Sequence, residues 1–369
     1  MNHYRIAVIG GDGVGPEVVP EGIRVLEAAA HLDGSFQLAF EEFPWGSGYY
    51  LETGRMMPEN ALSLLREFDA IYLGAVGSPE VPDHITLWGL LLPIRQRFNQ
   101  YVNLRPIKLF PGVVSPLRDV APEDIDMVCV RENSEGEYAG VGGRSHIGFE
   151  HEVALQTDVF TRTGVEQIAR YAFNLARTRR RKLASITKSN ASPFSYVLWD
   201  EVIAEVSADY PDVEVTRLLV DAAAAYFVTK PDMFDVVVAS NLFADILTDI
   251  GAAIQGSMGL GASANLNPDG GYPGMFEPIH GSAPDISGKA IANPLGAIWA
   301  GALMLEDLRE GEEAAMILDA IASVLAAGDV RTPDLGGVSG TSDMTDAVLE
   351  ALRGPDRERR TREEHELRD

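Results

Sequence analysis

The chain has 369 residues, 46% of them hydrophobic, which suits two domains or one large α/β unit with a cleft and excludes wholesale disorder. Asp and Glu number 55 against 30 Lys and Arg, and the formal net charge of −25 opposes binding to nucleic-acid phosphates or anionic membranes. The lone cysteine, Cys129, forbids an intrachain disulfide and suits a reducing cytoplasm, and no apolar stretch approaches the ~18 residues of a membrane span. The apolar run at 6–9 is also too brief for the ~7–15-residue core of a secretory signal, so the expected location is the cytoplasm.

In chain order, a strand over 5–9 leads into Gly10-Gly11-Asp12-Gly13-Val14-Gly15-Pro16-Glu17 and then a helix whose Val19, Ile23, Leu26 and Ala30 share one face. A strand over 36–43, a helix over 59–68 and a strand over 70–74 follow, and this alternation predicts an α/β fold with a largely parallel sheet. Strands over 125–130, 183–187, 213–220 and 236–239 run into Arg131, Lys188, Asp221 and Ser240-Asn241. Cys129 lies within the first of these as a buried, inert thiol. After Thr163, Val165, Ile168, Ala169, Ala172 and Ala176 mark a helix, and the basic run 177–182 at its C-terminus answers the helix dipole rather than a nucleic acid. The Gly/Pro/Asn/Ser-rich stretch 256–293 shows little periodicity and reads as a long functional loop. Asn293 caps a helix that opens at Pro294 and runs to Leu308, a further helix over 316–325 stops at Gly328, and 354–369 is a charged, solvated tail.

The N-terminal glycines fail both phosphate-loop tests. Pro16 or Val18 stands where a dinucleotide fingerprint needs its third glycine, and no Gly-Lys-Ser/Thr follows. The strand ends are more informative, because ligands of parallel sheets bind beyond the carboxyl ends, where four polar groups would converge. Asp245 and Asp249 stand four apart on an apolar helix without a balancing cation, and with Asp221 they form an all-oxygen set for Mg²⁺ or Mn²⁺. Arg95, Arg105 and Arg131 together would suit a dicarboxylate, since guanidinium groups grip carboxylates bidentately, whereas each taken singly reads as a surface salt bridge.

Residues 11–17, Asn103-Leu104-Arg105-Pro106, Arg131-Glu132-Asn133 with Glu135-Gly136-Glu137-Tyr138, and His280-Gly281-Ser282-Ala283-Pro284-Asp285-Ile286 stand in a recognisable order. Over about residues 4–352 the chain resembles the β-decarboxylating dehydrogenases, which include isopropylmalate, isocitrate, tartrate and D-malate dehydrogenases. Residues 81–89 (Val-Pro-Asp-His-Ile-Thr-Leu-Trp-Gly) resemble the tartrate/D-malate branch. The resemblance implies a two-domain, isopropylmalate dehydrogenase-like α/β fold rather than a Rossmann fold. Its first domain would comprise 1–100 and 253–353, with most of the NAD site. The second would be 101–252, carrying the dimer interface and the metal aspartates.

The same resemblance implies a homodimer with shared active sites. Arg95, Arg105 and Arg131 would clamp the substrate, Asp245 and Asp249 would hold Mn²⁺ or Mg²⁺ with Asp221 of a second subunit, and K⁺ is a candidate activator. Lys188, also from the second subunit, would be the general base and Tyr138 the general acid. His280, Gly281, Ser282, Ala283, Asp285 and Asn293 would contact NAD. Asp285 favours NAD over NADP, because a carboxylate accepts from a ribose 2′-hydroxyl and repels a 2′-phosphate. For the substrate, Trp88 replaces the acid of the isopropylmalate branch, while Leu90, Leu91 and Leu92 would suit an alkyl group. The longer branch motif points to NAD-dependent oxidation and decarboxylation of a small 2-hydroxy diacid such as tartrate or D-malate; the alternative is 3-isopropylmalate. A Mg²⁺-dependent phosphate hydrolase would leave Lys188 and the Asp285 loop without roles, and a non-catalytic ligand-binding module would be indifferent to Lys188→Ala.

Overall fold

In the computed structural model, which describes residues 2–354, one ten-stranded sheet carries both halves of the chain. In chain order the strands are β1 (Asn2–Gly11), β2 (Phe36–Glu42), β3 (Ala70–Ala75), β4 (Val102–Lys108), β5 (Asp126–Glu132), β6 (Gly136–Ser145), β7 (Val153–Val159), β8 (Lys182–Thr187), β9 (Glu214–Leu219), β10 (Val236–Ala239), β11 (Ala262–Leu266) and β12 (Gly274–Pro278). The sheet order is β2-β1-β3-β12-β11-β4-β5-β10-β8-β9, and β6 with β7 forms a separate hairpin. β2, β1, β3 and β12 form one parallel block. β5, β10, β8 and β9 form another. Three antiparallel pairings, β12–β11, β11–β4 and β4–β5, join them, so the two blocks run in opposite senses.

The strand cores are continuous apolar runs because helices cover both faces. Ile6, Ala7, Val8 and Ile9 of β1 are all buried. The helix Gly15–Asp33 buries Val19, Leu26 and Ala30 as the spacing predicts, and stops at Gly34, whose φ of 73° is the left-handed cap that glycine accepts without cost. The helix Leu295–Asp307 buries every residue from Leu295 to Leu305, as a helix apolar on all sides must. No helix among the described residues is long and apolar enough to cross a membrane.

Several expectations change. The sheet is largely parallel as expected, but three antiparallel pairings cross its middle, which is built from β4 and β11, neither of which was foreseen. The stretch 256–293 is not one long loop: it holds β11 and β12, both wholly buried. Its small residues hid the strands, since Ala-Ser-Ala-Asn lacks the β-branched side chains that mark a strand and packs against neighbours on both faces. The helix expected over 59–68 shortens to Ala61–Leu65. The helix expected from Pro294 begins one residue later, at Leu295, whose N–H donates to Asn293 Oδ1 at 3.0 Å, so the Asn293 side chain still caps its first turn. In the basic run, Arg179 and Arg180 pair with Asp235, whose side chain is fully buried, and with Asp126, so these cations are structural. The tail beyond Gly354 lies outside the described residues.

Candidate active site

Where the sheet reverses direction, alternate residues of four neighbouring strands turn polar side chains to one face. Register places Glu277 beside Ser263, and Asn265 beside Asn103, which in turn faces Arg131; Arg105 lies two residues along from Asn103. All six are buried, so each must find partners within the protein. Asn103 Nδ2 donates to Asn265 Oδ1 at 2.9 Å, and Asn265 Nδ2 donates to Glu277 Oε1 at 2.9 Å. Arg105 Nε donates to Asn103 Oδ1 at 2.7 Å and its Nη1 to Thr248 Oγ1 at 2.7 Å. Arg95, on the helix Leu92–Arg97, reaches in from above and pairs with Glu277 at 2.6 Å. These bonds hold the guanidinium groups in fixed orientations before any ligand arrives.

The helix Asn241–Ile254 closes the other side, its N-terminus capped by Ser240, whose side chain accepts from Phe243 N. Asn241 Oδ1 accepts from Arg131 Nε at 3.0 Å and Nη2 at 2.6 Å. Asp245 ion-pairs with Arg131 Nη1 and lies 3.4 Å from Arg105 Nη2. Tyr138 Oη donates to Asp245 Oδ2 at 3.3 Å, and the Arg131 guanidinium stands 5.6 Å from the Tyr138 ring centre. Burial opposes ionisation of Asp245, but Arg131, Arg105 and Arg95 outweigh it and hold the carboxyl below its usual range. Burial, then Arg105, brings Arg131 down to about 10, so it is still a cation at neutral pH. Burial, then Asp245, pushes the Tyr138 phenol up and keeps its proton on.

These groups line a cavity of about 180 Å³ with Gly74, Ala75, Val76, Leu87, Leu91, Leu92, Ser263, Pro278, Ile279, His280 and Gly281. That is below the ~300–1,000 Å³ of drug-sized ligand sites, so the cavity suits a small molecule. Leu87, Leu91 and Leu92 form the apolar wall, whereas Leu90, expected there, is buried in the core. The cause is a π-helical turn at Leu87–Leu91, whose extra residue per turn rotates successive side chains away from their α-helical directions. Trp88 packs on Gly140 instead of lining the cavity.

Lys188 and Asp221 lie elsewhere. Lys188 follows β8, Asp221 lies in the first turn of the helix Val220–Thr229 that follows the neighbouring β9, and the two pair, Nζ to Oδ1, at 2.6 Å. The side-chain bond to Lys188 holds Asp221 below the usual carboxylate range. The four strand ends share one sheet edge, yet at ~4.8 Å per strand Lys188 stands about 10 Å along that edge from Arg131. Convergence of all four in one chain therefore fails. Among the described residues no three His, Cys, Asp or Glu side chains gather closely enough to hold a metal ion. One copy of the chain presents Asp245 and Asp249, a hard oxygen pair fit for Mg²⁺ or Mn²⁺. Asp249 makes no ion pair among the described residues, and partial burial, then Asp245, holds its carboxyl up, as expected where a cation would be welcome.

The glycine-rich turn, unassigned from sequence, holds the loop of residues 280–290. Gly13, at φ 59°, lies so close that a Cβ there would collide with the Ser282 carbonyl, and Val14 N donates to that oxygen at 2.8 Å. Glu17 accepts from Gly288 N at 2.5 Å and Ala290 N at 3.1 Å. Asp12 takes Ser47 N, Ser47 Oγ and Gly77 N within 2.8 Å. On the loop, Asp285 is exposed and makes no hydrogen bond or ion pair among the described residues. His280 lines the cavity, its Nδ1 donating to Gly281 O at 3.0 Å, and burial holds its pKa down. Asn293 gives one N–H to Asp334 at 2.9 Å, leaving its second donor available.

The isocitrate/isopropylmalate dehydrogenase family matches residues 5–348 of this chain. The chain belongs to that family. It is 52% identical to a probable tartrate dehydrogenase/decarboxylase of Agrobacterium vitis over 355 residues, 96% of this chain and 99% of the relative. It is 53% identical to the D-malate dehydrogenase (decarboxylating) of Escherichia coli strain K12 over 360 residues, 95% and 99% of the two chains. The crystal structure of isocitrate dehydrogenase from Methylococcus capsulatus superposes with a TM-score of 0.85 at 36% identity, covering 95% of this chain and all of that one. The fold is therefore the mixed α/β architecture of these dehydrogenases.

Within this dehydrogenase framework, Arg95, Arg105, Arg131, Tyr138 and Asp245 meet at the cavity, and His280 and Gly281 reach its rim. Ser282, Ala283, Asp285 and Asn293 continue along the adjoining loop, while Lys188 and Asp221 stand apart. Asn241 was expected among the converging strand ends, whereas Asn103, Asn265 and Glu277, which also orient the arginines, were not anticipated in that role. The available signal was the alternation Asn-x-Arg in β4 and Ser-x-Asn in β11, a polar face inside otherwise apolar strands.

Proposed function

We propose that this dehydrogenase oxidises and decarboxylates a small 2-hydroxy dicarboxylate of the tartrate/D-malate type, using NAD and Mn²⁺ or Mg²⁺. The observation that carries this reading is the trio of buried arginines converging on a cavity of about 180 Å³ in a protein of net charge −25. Two carboxylates, Asp245 and Glu277, line the cavity with the three guanidinium groups, so a local excess of positive charge is left for a dianion. The curated relatives named for tartrate and D-malate support the substrate class, and the exposed Asp285 supports NAD over a cofactor bearing a 2′-phosphate.

Arg95, Arg105 and Arg131 would bind the two carboxylates and hold the hydroxyl-bearing carbon toward the loop of residues 280–290. Asp245 and Asp249, with Asp221 from a second copy of the chain, would hold the cation. Bound there, the cation would polarise the substrate's 2-oxygen, and NAD would accept the hydride from its carbon. Lys188 from that second copy would take the hydroxyl proton. As carbon dioxide leaves, its bonding electrons stay on the carbon skeleton, and protonated Tyr138 gives that carbon its proton. Two observations support the homodimer with shared sites: Lys188 and Asp221 sit outside their own chain's cavity, and the β6–β7 hairpin exposes Val141, Val153 and Leu155. The two oppositely directed strand blocks support the division into 1–100 with 253–353 and 101–252, and the buried thiol supports cytoplasmic residence.

The leucine wall favours one second reading, 3-isopropylmalate, whose alkyl group would lie against Leu87 and Leu91. NADH formation followed with Mn²⁺ and K⁺ on D-malate, the tartrates, 3-isopropylmalate and isocitrate decides between them. Preference for D-malate or a tartrate is expected; preference for 3-isopropylmalate overturns the branch, and no turnover on any overturns the activity.

A further inference from the structure

Tyr138 stands in a break of the hairpin ladder. β6 pairs with β7 at Gly136–Val159 and resumes at Val141–Thr157, with the register shifted between, so residues 137–140 have no cross-strand partners in sequence. Ladder hydrogen bonds therefore do not place the phenol. Gln156 Nε2 donates to Glu137 O at 3.1 Å, and Gln96 Nε2 donates to Tyr138 O at 3.4 Å, near the limit of a hydrogen bond. The strongest anchor is the Glu137 carboxylate. Its Oε1 accepts from Tyr196 Oη at 2.5 Å and Ser240 Oγ at 3.2 Å, and its Oε2 accepts from Leu242 N at 3.2 Å.

Two of these three donors belong to the N-terminus of the helix Asn241–Ile254, where Ser240 is the cap and Leu242 N is among the amides without an intrahelical acceptor. The same helix carries Asn241, which orients Arg131, and Asp245, which accepts from the Tyr138 phenol. A carboxylate at a helix N-terminus is favoured by the helix dipole as well as by its hydrogen bonds. We propose that Glu137 is a positioning residue, clamping the unladdered Tyr138 segment to the helix that bears Asp245 and so setting where the phenol stands over the arginine cavity. This rests on the role of Tyr138 as acid in the proposed reaction.

The test compares Glu137→Ala, Glu137→Gln and Tyr138→Phe with the double variant Tyr138→Phe/Glu137→Ala, measuring kcat and KM with D-malate, Mn²⁺ and NAD. A displacement of about 1 Å is enough for a loss on the order of 100-fold in kcat. Glu137→Ala should show such a loss with little change in KM for the dicarboxylate, because the arginines are untouched. Glu137→Gln should recover most of it, since a flipped amide still accepts from Leu242 N and donates to the two hydroxyls. In the Tyr138→Phe background, Glu137→Ala should cost almost nothing more. An equal loss in both backgrounds, or a parallel rise in KM, overturns the positioning role while leaving Tyr138's role intact. Full activity of Tyr138→Phe overturns both and is a distinct result. If Glu137→Ala does not fold, Tyr196→Phe, which removes the shortest of the three bonds, is subject to the same non-additivity criterion.

Discussion

Asp249→Asn removes one of two carboxylates spaced four residues apart, without changing side-chain size. On a solvated helix such a like-charged pair costs about 0.2–0.5 kcal/mol. Bare Coulomb repulsion at roughly 6 Å with an effective dielectric near 20 would give about 3 kcal/mol. Asp249 is open to solvent, and Arg105 and Arg131 offset the repulsion, so the smaller figure governs. With about 2.1 cal/mol/K of unfolding entropy per residue, roughly 0.8 kcal/mol/K for 369 residues, the metal-free variant should melt within about 1 °C of the parent, on the high side. A cation at a hundred times its Kd stabilises by about 2.7 kcal/mol, which on the same entropy is about 3–4 °C. That increment should appear for the parent in Mn²⁺ and vanish in the variant, so the order of melting temperatures reverses. Calorimetry at one fixed protein concentration, with and without Mn²⁺, reads both effects. An undiminished Mn²⁺ shift, or a metal-free variant several degrees less stable, would refute Asp249 as a ligand held in readiness for a cation.

Two further predictions concern groups around the same cavity. Arg95→Met strands Glu277 as a buried unpaired charge and should lower stability by about 3–5 kcal/mol in urea unfolding. Adding Glu277→Gln removes that charge and should recover at least half of the loss; no recovery would mean that Arg95 matters through packing alone. Burial holds His280 below its ordinary value, so the folded state resists its protonation. Its contribution to stability is complete above about pH 6.5 and falls as pH drops from there through the lowered value, where the unfolded chain binds the extra proton. His280→Asn should flatten that slope, and an unchanged slope would assign it to another group.

The parallel blocks were legible because their strands are apolar runs alternating with helices of clear period, as in the 5–9 strand and the Val19–Ile23–Leu26–Ala30 face. The centre of the sheet was not. β11 is built of small and polar residues, and β4 contains Pro106, so neither displays the side chains that mark a strand. Their polar residues form a satisfied network only because strands distant in sequence lie side by side, Asn103 next to Asn265 across 162 residues. The glycine turn shows the same limit: its conformation was legible, but its purpose, seating the loop at Ser282, depends on a contact across some 270 residues.

By itself the sequence put forward candidate groups: arginines suited to a dianion and aspartates suited to a hard cation, with a lysine and a tyrosine for proton transfer added only by the family resemblance, all in a chain whose −25 speaks to solubility. Local spacing also sufficed to place Asp245 and Asp249 on one helix face. Only the tertiary structure decided which groups meet. It brings Arg95, Arg105, Arg131, Tyr138 and Asp245 to one cavity and leaves Lys188 with Asp221 further along the sheet edge. The physical reason is that strand order and direction set that edge, and they are fixed by long-range pairing and burial, which a linear pattern of residues does not express.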